Sequence, residues 1–566
     1  MDQLPGELLS SIFVNLHFCE KQECMLVCHQ WADVIRSEVL YDTIHINEEY
    51  TIGRLGQFLD SHPSRKAQIK NMVVHSPVSQ WGCLDYFSNY FPKLRSLYIY
   101  SCSSDTIIES NPKENDQRQM NRMTWVSKIE VLEQYHCLHP NQCILSLGMY
   151  NALEKLVIHN GGSISIMNMD ILANAPNIIS LTLGRIEISI NDLEKILSNL
   201  VLLKYLELHN VILKTLSEDT KTAPELVTPV KSLKTLLITL RHDDANNDTI
   251  TILRCLQYIQ YKCINLLKFR FIIDSTVMIK RDVEEELVEC GILPLLLCLD
   301  HGLNSLEINC STALSSLLNN VYALGFKAHS LNIFMHFSLS KDRRISFRNS
   351  KNFIQQLTLN INSSKWVSDV LENLKSLKIL HIKGMHNFVM SWSYSQYEIN
   401  LDDIFTSCSN SLESLKIETF HLIYSVQIHH QAYSLTKLEI DIREVFPGVY
   451  SFISSFLPHL RYLGLSYCIR ATGVVKLGIF NLYRLDLCLI PCAYIKITTD
   501  RNNNDRYYHI KNQHKNSTDV KVPDETRVWD RLRQMTPEDA ITHLDEMLCF
   551  EFNSVQQLYI NNMIAY

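Results

Sequence analysis

The sequence predicts an α/β solenoid, with parallel strands on the inside of a curve and helices on the outside, preceded by a small all-α segment of three helices. A six-residue apolar signature, Leu-x-x-Leu-x-Leu or Ile, recurs along most of the chain, and its three central copies begin 25 residues apart, at Leu153, Ile178 and Leu203. Stretches between copies carry a single apolar stripe at helical spacing. At 566 residues the chain is also too long for one ordinary compact core. A fixed period of about 20 to 29 residues is typical of stacked repeats.

Residues 1–46 predict three short helices whose pattern differs from that of the rest of the chain. The first runs from Leu4 to Leu16 with a broad apolar face, the second from Glu20 to Val27, and the third from Gln30 to Glu38. Three short helices bury little surface on their own. We therefore expect a partner, or the adjoining array, to cover part of the apolar face.

The apolar signature defines the strands of the predicted array, which covers residues 47–498. Alternate residues of a strand share a face, so Leu-x-Leu places one face inward. A weaker copy is expected at Val126/Ile129/Val131. The other copies begin at Ile69, Leu94, Leu153, Ile178, Leu203, Leu233, Leu266, Leu303, Ala328, Ile354, Leu377, Leu412, Leu435, Leu460, Leu482 and Val555.

Helices between the strands follow from the same patterning. Leu193, Ile196, Leu197 and Leu200 fall at i, i+3, i+4 and i+7, with Asn191 as the expected N-cap and Glu194 at the capping-box position. One strand and one helix cannot bury their own apolar faces, so stacking is required. The same spacing recurs at Leu314, Leu317, Leu318 and Val321, and at Val367, Val370, Leu371 and Leu374.

The periodicity is interrupted near the C-terminal end. Residues 499–535 are polar and rich in Asn, Asp, Arg, Lys and His, which predicts an inserted loop. Thr536 followed by Pro537 is a helix-start pattern. Residues 536–566 are therefore expected to form the last repeat and a C-terminal cap.

Bulk properties exclude several classes of function. The net charge of −7 argues against a nucleic-acid binder, and the apolar run Ile292–Leu299 is far too short to span a bilayer. The first five residues lack the features of a signal peptide, and the 17 cysteines are scattered, as is typical of reduced thiols. We therefore expect a cytoplasmic and/or nuclear protein with no nucleic-acid and no membrane partner.

Catalytic and cofactor motifs are not found in the sequence. It has no phosphate-binding loop, no nucleophile elbow and no His-Glu-x-x-His. The cluster His136, Cys137, His139 and Cys143 has zinc-ligand residue types, but its spacing matches no standard zinc site. The sequence therefore predicts a non-enzymatic protein with no metal and no cofactor.

Two resemblances sharpen this interpretation. The repeating signature over roughly residues 65–566 resembles the leucine-rich-repeat family, which implies a horseshoe solenoid. The N-terminal segment resembles an F-box: Leu4-Pro5, Glu7-Leu8, Ile12-Phe13 and Leu16 are followed by Val27-Cys28-x-x-Trp31 and Leu40-Tyr41. It departs from the family at Glu20-Lys21, where an Asp-Leu pair is usual, and at His29.

The F-box resemblance implies a role as the substrate-recognition subunit of a Skp-cullin-F-box ubiquitin ligase, which binds a Skp-type adaptor and through it a cullin-RING ligase. For Val27, Cys28 and Trp31, packing of the three helices remains the alternative. Carried over by position, the docking residues are Leu4, Pro5, Leu8, Ile12, Phe13, Leu16, Val27, Cys28 and Trp31.

The repeats are expected to hold an unidentified protein target on the concave face, where positions between the apolar residues are polar and include Tyr and Arg. We expect the target mainly between Leu377 and Leu487. The alternative is a scaffold that binds the adaptor without delivering a substrate. The candidate target-binding residues are Tyr205, His209, Arg270, His381, Lys416, Lys437, Asp441, Tyr462 and Arg484.

Overall fold

A computed structural model of the chain forms two compact units, residues 1–302 and 303–566. The predicted boundary at residue 46 therefore lies inside the first unit. The structure describes residues 5–14, 16, 21–22, 24–39, 42–46, 49–66, 68–75, 91–102, 126–137, 150–160, 165–214, 228–241, 249–274, 286–299, 302–310, 328–335, 353–361, 367–371, 374–384, 398–408, 411–423, 434–445, 457–466, 473–476, 481–488, 494–499, 506–511, 531–536, 548–552, 554–560 and 563–564.

The N-terminal helices pack around a small apolar core. Helices span Gly6–Val14 and His29–Val34, and the second continues into a turn of π-helix at Ile35–Val39. A helical turn lies between them, where the Met25 N–H donates to the Lys21 carbonyl at 3.1 Å. The buried core consists of Leu9, Phe13, Ile35 and Val39.

The first unit contains a ladder of parallel strands in which the signature residues align. Leu156, Leu181 and Leu206 are neighbours in register on successive strands, and all are fully buried. Backbone N–H groups also join successive turns, as from Ile179 to the Glu154 carbonyl at 2.8 Å. The strands are β1 Thr43–Ile46, β2 Asn71–Val74, β3 Ser96–Cys102, β4 Val131–Cys137, β5 Lys155–Asn160, β6 Ser165–Ile166, β7 Ser180–Gly184, β8 Ile186–Ile188, β9 Tyr205–Leu213, β10 Thr235–Arg241 and β11 Lys268–Asp274.

Short helical segments connect these strands. The longest described ones bury apolar stripes against the ladder, as predicted for Leu193, Ile196 and Leu197. The segments are the α-helices Glu49–Ser61, Pro63–Lys66, Ile190–Asn199, Thr249–Lys262 and Leu293–Cys298, the 3₁₀ turns Val126–Lys128 and Met169–Asn174, and the π turn Val288–Ile292.

The N-cap prediction for the helix Ile190–Asn199 is wrong by two residues. Ser189, not Asn191, is the N-cap: its hydroxyl accepts the N–H of Asp192 at 3.2 Å, while the Asp192 carboxylate accepts the Ser189 N–H at 2.9 Å. This reciprocal capping box satisfies two helix-end donors. Glu194 instead accepts hydrogen bonds from Tyr258 and Lys262, both at 2.6 Å.

The weak repeat copy was predicted out of phase. Register places Leu132 beside Leu97 and Gln134 beside Ile99, so the copy is Ile129, Leu132 and Gln134 rather than Val126, Ile129 and Val131. Gln134 is buried in the third apolar position of the copy. The amide at an apolar position explains why the pattern was misread.

The second unit contains another parallel ladder with the same signature alignment. Leu380, Leu415, Leu438, Leu463 and Leu485 are fully buried neighbours on successive strands. Helices span Val367–Leu371 and Leu401–Cys408, whereas the stripe at Leu314–Val321 lies outside the described residues. The ladder strands are β12 Ser305–Cys310, β13 Ser330–Met335, β14 Gln356–Ile361, β15 Ile379–Gly384, β16 Glu398–Asn400, β17 Ser414–Ile423, β18 Lys437–Val445, β19 Tyr462–Ser466, β21 Asn481–Cys488, β26 Ser554–Ile560 and β27 Met563–Ile564.

The second unit also contains a separate five-stranded sheet. Two of its strands lie within residues 499–535, so the prediction of a loop is wrong for that part of the range. The sheet consists of β20 Gly473–Lys476, β22 Tyr494–Thr499, β23 Arg506–Lys511, β24 Arg531–Met535 and β25 Leu548–Phe552. The strands inside the predicted loop are β23 and β24, and the Asn and Asp residues beside them obscured their strand pattern. The helix predicted after Thr536 lies outside the described residues.

Candidate functional site: an apolar helical surface and two polar strand faces

Among the described residues of the N-terminal segment, four large apolar side chains face solvent. Leu8 and Ile12, four residues apart on one face of the first helix, are 52% and 50% exposed. Leu26 and Val27, in the turn before the helix His29–Val34, are 87% and 62% exposed. So much uncovered apolar surface in a segment of this size is typical of a docking site.

The predicted docking residues separate into an exposed and a packed group. Pro5, Leu8, Ile12 and Val27 are exposed, and Leu4 lies outside the described residues. Leu26 was not predicted, although its apolar side chain immediately precedes Val27. It is the most exposed large apolar side chain of the described residues, and it joins the candidate docking set.

Phe13 does not fit the docking prediction. It is 1% exposed and packs edge-on against Trp31, with ring centroids 5.1 Å apart. A ring with no accessible surface holds the helices together and cannot contact a partner in this arrangement. Leu16 and Trp31 are partly buried against the same core, and Cys28 is half-buried.

A buried ion pair links the N-terminal segment to the start of the array. Lys21 Nζ lies 3.5 Å from Asp42 Oδ1, and both side chains are less than a tenth exposed. The Asp42 carbonyl accepts the N–H groups of Lys70 and Asn71, the latter being the first residue of β2. Lys21, at which the sequence departs from the F-box pattern, is therefore a buried charge that pairs with Asp42.

Six predicted target-binding residues come together on the polar face of the second unit. We define this face as the positions between the buried apolar residues of β15, β17, β18, β19 and β21. Register aligns three columns of these positions, Ile379–Ser414–Lys437–Tyr462–Arg484, His381–Lys416–Glu439–Gly464–Asp486 and Lys383–Glu418–Asp441–Ser466.

Glu418 is the centre of one half of this face. Its carboxylate lies 2.6 Å from Lys416 Nζ, 3.1 Å from His381 Nε2 and 3.6 Å from Lys383 Nζ. Burial opposes ionisation of Glu418, but the hydrogen bond from Lys416 and the surrounding cations lower its pKa overall. Burial lowers the pKa of His381, which favours the neutral imidazole.

Asp441 occupies the neighbouring register position beside Glu418. Burial, followed by repulsion from Glu418, raises the pKa of the Asp441 carboxyl above its ordinary value. A carboxylate whose ionised form is disfavoured gains stability when a cation approaches. The nearby Lys416 and Lys383 partly offset this rise in the pKa of Asp441.

Tyr462 is the centre of the other half. Its hydroxyl donates to Asp486 at 2.7 Å, and Arg484 holds the same carboxylate through two hydrogen bonds of 2.8 and 2.9 Å. Lys437 Nζ lies 5.0 Å from the Tyr462 ring centroid and 2.7 Å from Glu439. An aromatic ring held between cations is a typical anchor in protein interfaces.

The remaining three predicted residues lie on the polar face of the first unit. Tyr205 donates to Glu207 at 2.6 Å, and Arg270 Nη1 lies 3.5 Å from the same carboxylate. His209 belongs to a different feature, a row of stacked rings. The nine predicted target-binding residues are therefore divided between the two units, six in the second unit and three in the first.

A row of six rings extends across seven strands of the first unit, from β1 to β9, and was largely missed from sequence. Centroid separations along it are 5.0–5.7 Å, and all contacts are stacked except the last, which is edge-on. Most of its members follow the last apolar residue of a repeat copy, so a correctly phased repeat would have revealed it. The rings belong to His45, His75, Tyr100, Tyr135, His159 and His209.

The surroundings of this row shift the pKa of two of its rings, Tyr135 and His45. Tyr135 donates to Glu133 at 2.9 Å, and Lys155 lies 2.6 Å from the same carboxylate. Burial and this hydrogen bond raise the pKa of Tyr135, and burial together with the His75 charge lowers the pKa of His45. These shifts favour the neutral forms of Tyr135 and His45.

The described part of the chain shows neither a metal-binding cluster nor a membrane-spanning helix. Among the described residues, no three His, Cys, Asp or Glu side chains come together in an arrangement that could hold a metal ion. His139 and Cys143 of the cluster considered from sequence lie outside those residues. None of the described helices is long and apolar enough to cross a bilayer.

Comparison with known proteins identifies the N-terminal segment. Residues 1–47 match the F-box-like family, a span that contains both described N-terminal helices and ends one residue after β1. None of the curated proteins matches this chain. The protein thus carries an F-box-like domain at residues 1–47, followed by stacked parallel strands and helices.

Proposed function

We propose that this protein is the substrate-recognition subunit of a Skp-cullin-F-box ubiquitin ligase. The F-box-like domain docks a Skp-type adaptor, and the array, which we assign to the leucine-rich repeats, binds a protein target. In this role the chain performs no catalysis, needs no cofactor and acts in the cytoplasm or nucleus, where such ligases operate.

The observation that carries the proposal is the combination of the F-box-like match with uncovered apolar surface in the matched segment. Leu8, Ile12, Leu26 and Val27 are all at least half exposed, whereas Leu9 and Phe13 form the interior. Because Leu8 and Ile12 are already half buried, covering the rest of each side chain contributes roughly 1 kcal/mol, and covering Leu26 or Val27 contributes somewhat more, before the costs of association. An adaptor that covers them would complete the small core.

The proposal is tested by pulldown of a purified Skp-type adaptor with the full-length chain. Leu8→Asp combined with Ile12→Asp places two carboxylates on the exposed face and should reduce adaptor binding at least about a hundredfold. A matched control is Val201→Asp with Leu202→Asp, since these side chains are also exposed and apolar but lie far along the sequence. The control should bind the adaptor like the wild type.

Equal adaptor binding by both double variants would contradict the proposal, provided that circular dichroism shows both to be folded. A second pulldown, with a purified cullin added to the adaptor, separates the ligase from a scaffold, because only the ligase recovers cullin together with the adaptor. Adaptor without cullin would favour a scaffold that delivers no substrate.

A further inference from the structure

The five-stranded sheet of the second unit concentrates positive charge. Its strand order is β20–β25–β22–β23–β24, and β23 is antiparallel to both of its neighbours, β22 and β24. These three strands contain Lys496, Arg506, Lys511, Arg531 and Arg533 and neither Asp nor Glu. The whole chain has a net charge of −7, so the rest of it carries a net charge of −12.

Strand register sorts these residues between the two faces of the sheet. Lys511 is opposite Arg531, His509 is opposite both Arg533 and Tyr494, and Lys496 is opposite Tyr507. Residues opposite each other in a ladder share a face, so these seven positions form one face, which we name the cationic face. The alternate positions are mainly apolar, with Ile495, Ile497, Tyr508, Ile510 and Leu532, but they also hold Gln534 and Arg506, so four of the five cations belong to the cationic face.

One acidic residue shares the cationic face, at a distance from its edge. Glu551 of β25 is opposite Thr498, and two strands, β22 and β23, separate β25 from β24. Positive charge therefore increases toward β24. Within the part of the chain that the structure describes, β24 is an edge strand with a neighbour on one side only.

An edge strand presents unpaired backbone groups, and an extended peptide can add to it as a further strand. In such a pairing, alternate side chains of the peptide share the face of Arg531 and Arg533. The five residues of β24 match a segment of about 17 Å. A peptide with acidic residues at alternate positions would fit both the backbone edge and the charge.

The limited size of the cationic face favours a short partner segment. Three strands spaced about 4.8 Å apart form a narrow strip. A long polyanion such as a nucleic acid would extend beyond this strip onto a molecule whose remaining net charge is negative, which opposes its binding. A short acidic stretch meets only the strip.

We propose that β24 and the cationic face bind an extended, acidic polypeptide segment by strand addition, with acidic side chains at alternate positions. The inference rests on the proposed function, for which it names the chemistry of the target segment. Arg531 and Arg533 select the acidic side chains, and the backbone of β24 provides the hydrogen bonds.

The test measures fluorescence anisotropy of labelled probes with the full-length protein. The main probe is a peptide of about ten residues that alternates Glu and Thr, long enough to cover β24. Arg531→Glu with Arg533→Glu should weaken its binding at least about tenfold at 0.1 M salt. The matched control, Lys93→Glu with Lys231→Glu, makes the same charge change at exposed sites and should stay within about twofold of the wild type.

Two further probes distinguish strand addition from attraction by charge alone and from nucleic-acid binding. A peptide with the same sequence but N-methylated alternate residues keeps its charge and loses main-chain donors, so it should bind at least about tenfold more weakly. Equal binding of both peptides, no peptide binding by the wild type, or equal loss in both charge variants would overturn the inference. Tighter binding of a single-stranded oligouridylate would likewise overturn it and indicate a nucleic-acid surface.

Adaptor pulldown with Arg531→Glu and Arg533→Glu keeps this test distinct from that of the proposed function. Retained adaptor with lost peptide binding supports both proposals. Retained peptide binding by a chain that never binds the adaptor would contradict the proposed function while leaving the peptide site intact. Unchanged circular dichroism shows that the charge variants remain folded.

Discussion

At the scale of single residues, Gly184 shows how one position controls the row of rings. Register places Gly184 between His159 and His209, where every other member of the column from His75 onward carries a ring. A Cβ at Gly184 would overlap the His159 imidazole. The missing side chain lets His159 lean across β7 and reach His209, with centroids 5.7 Å apart.

Gly184→Ala should therefore displace the His159 ring and lower the free energy of unfolding of the first unit by about 1 kcal/mol, the size of a lost aromatic contact. The measurement is chemical denaturation of the full-length protein, followed by a double-mutant cycle with His159→Ala. In the His159→Ala background the glycine substitution should have almost no effect. Additive effects would mean that the glycine serves another purpose.

At the scale of elements, the junction between the N-terminal helices and β1 depends on charge. Lys21 and Asp42 lie at positions that sequence patterns treat as surface, yet both side chains are buried and 3.5 Å apart. Removing one member leaves the other as an uncompensated buried charge. The pair therefore couples the turn that precedes the helix His29–Val34 to the strand ladder.

Lys21→Met should lower the free energy of unfolding by about 3 kcal/mol because it isolates the Asp42 carboxylate. Lys66→Met is the control, because Lys66 pairs with Asp60 at 2.9 Å while the Asp60 carboxylate is largely exposed, and it should cost less than about 1 kcal/mol. Thermal unfolding at neutral pH compares the two variants. A Lys21 variant as stable as the Lys66 variant would show that water reaches the pair.

At the scale of the whole molecule, the residues that we propose to dock the adaptor and those that we propose to bind the target lie on different elements. The exposed apolar side chains belong to residues 1–47, whereas Lys437, Tyr462 and Arg484 lie on β18, β19 and β21 of the second unit. Substitutions at sites that share no interaction partners usually act independently. The two binding activities should therefore be separable by mutation.

Charge reversal at Lys437 or Arg484 should weaken capture of the target by at least about tenfold and leave adaptor binding unchanged, because each change breaks the cation–ring and ion-pair cluster at Tyr462. Proximity labelling under proteasome inhibition measures target capture. A chain lacking residues 1–46 serves as the comparison for adaptor-dependent labelling. Unchanged capture by both reversal variants would place the target elsewhere.

Sequence by itself determined the elements that repeat and the segment that differs. The six-residue apolar signature is a local pattern, so it revealed the strands and their common phase. The helical spacing of Leu8 and Ile12 is also local, and it revealed the apolar face of the first helix. Local patterns misplaced the copy at Ile129, where Gln134 occupies an apolar position, and predicted a loop where β23 and β24 pair.

Tertiary structure decided which side chains meet across strands. Ring stacking over Gly184, the burial of Phe13, the Lys21–Asp42 pair and the cationic face beside β24 all join residues far apart in the chain. Their energies depend on register and on exclusion of water, and neither property is encoded in a local window of sequence. The repeat pattern determines the strands and helices, whereas the packing of one repeat against the next determines which side chains interact.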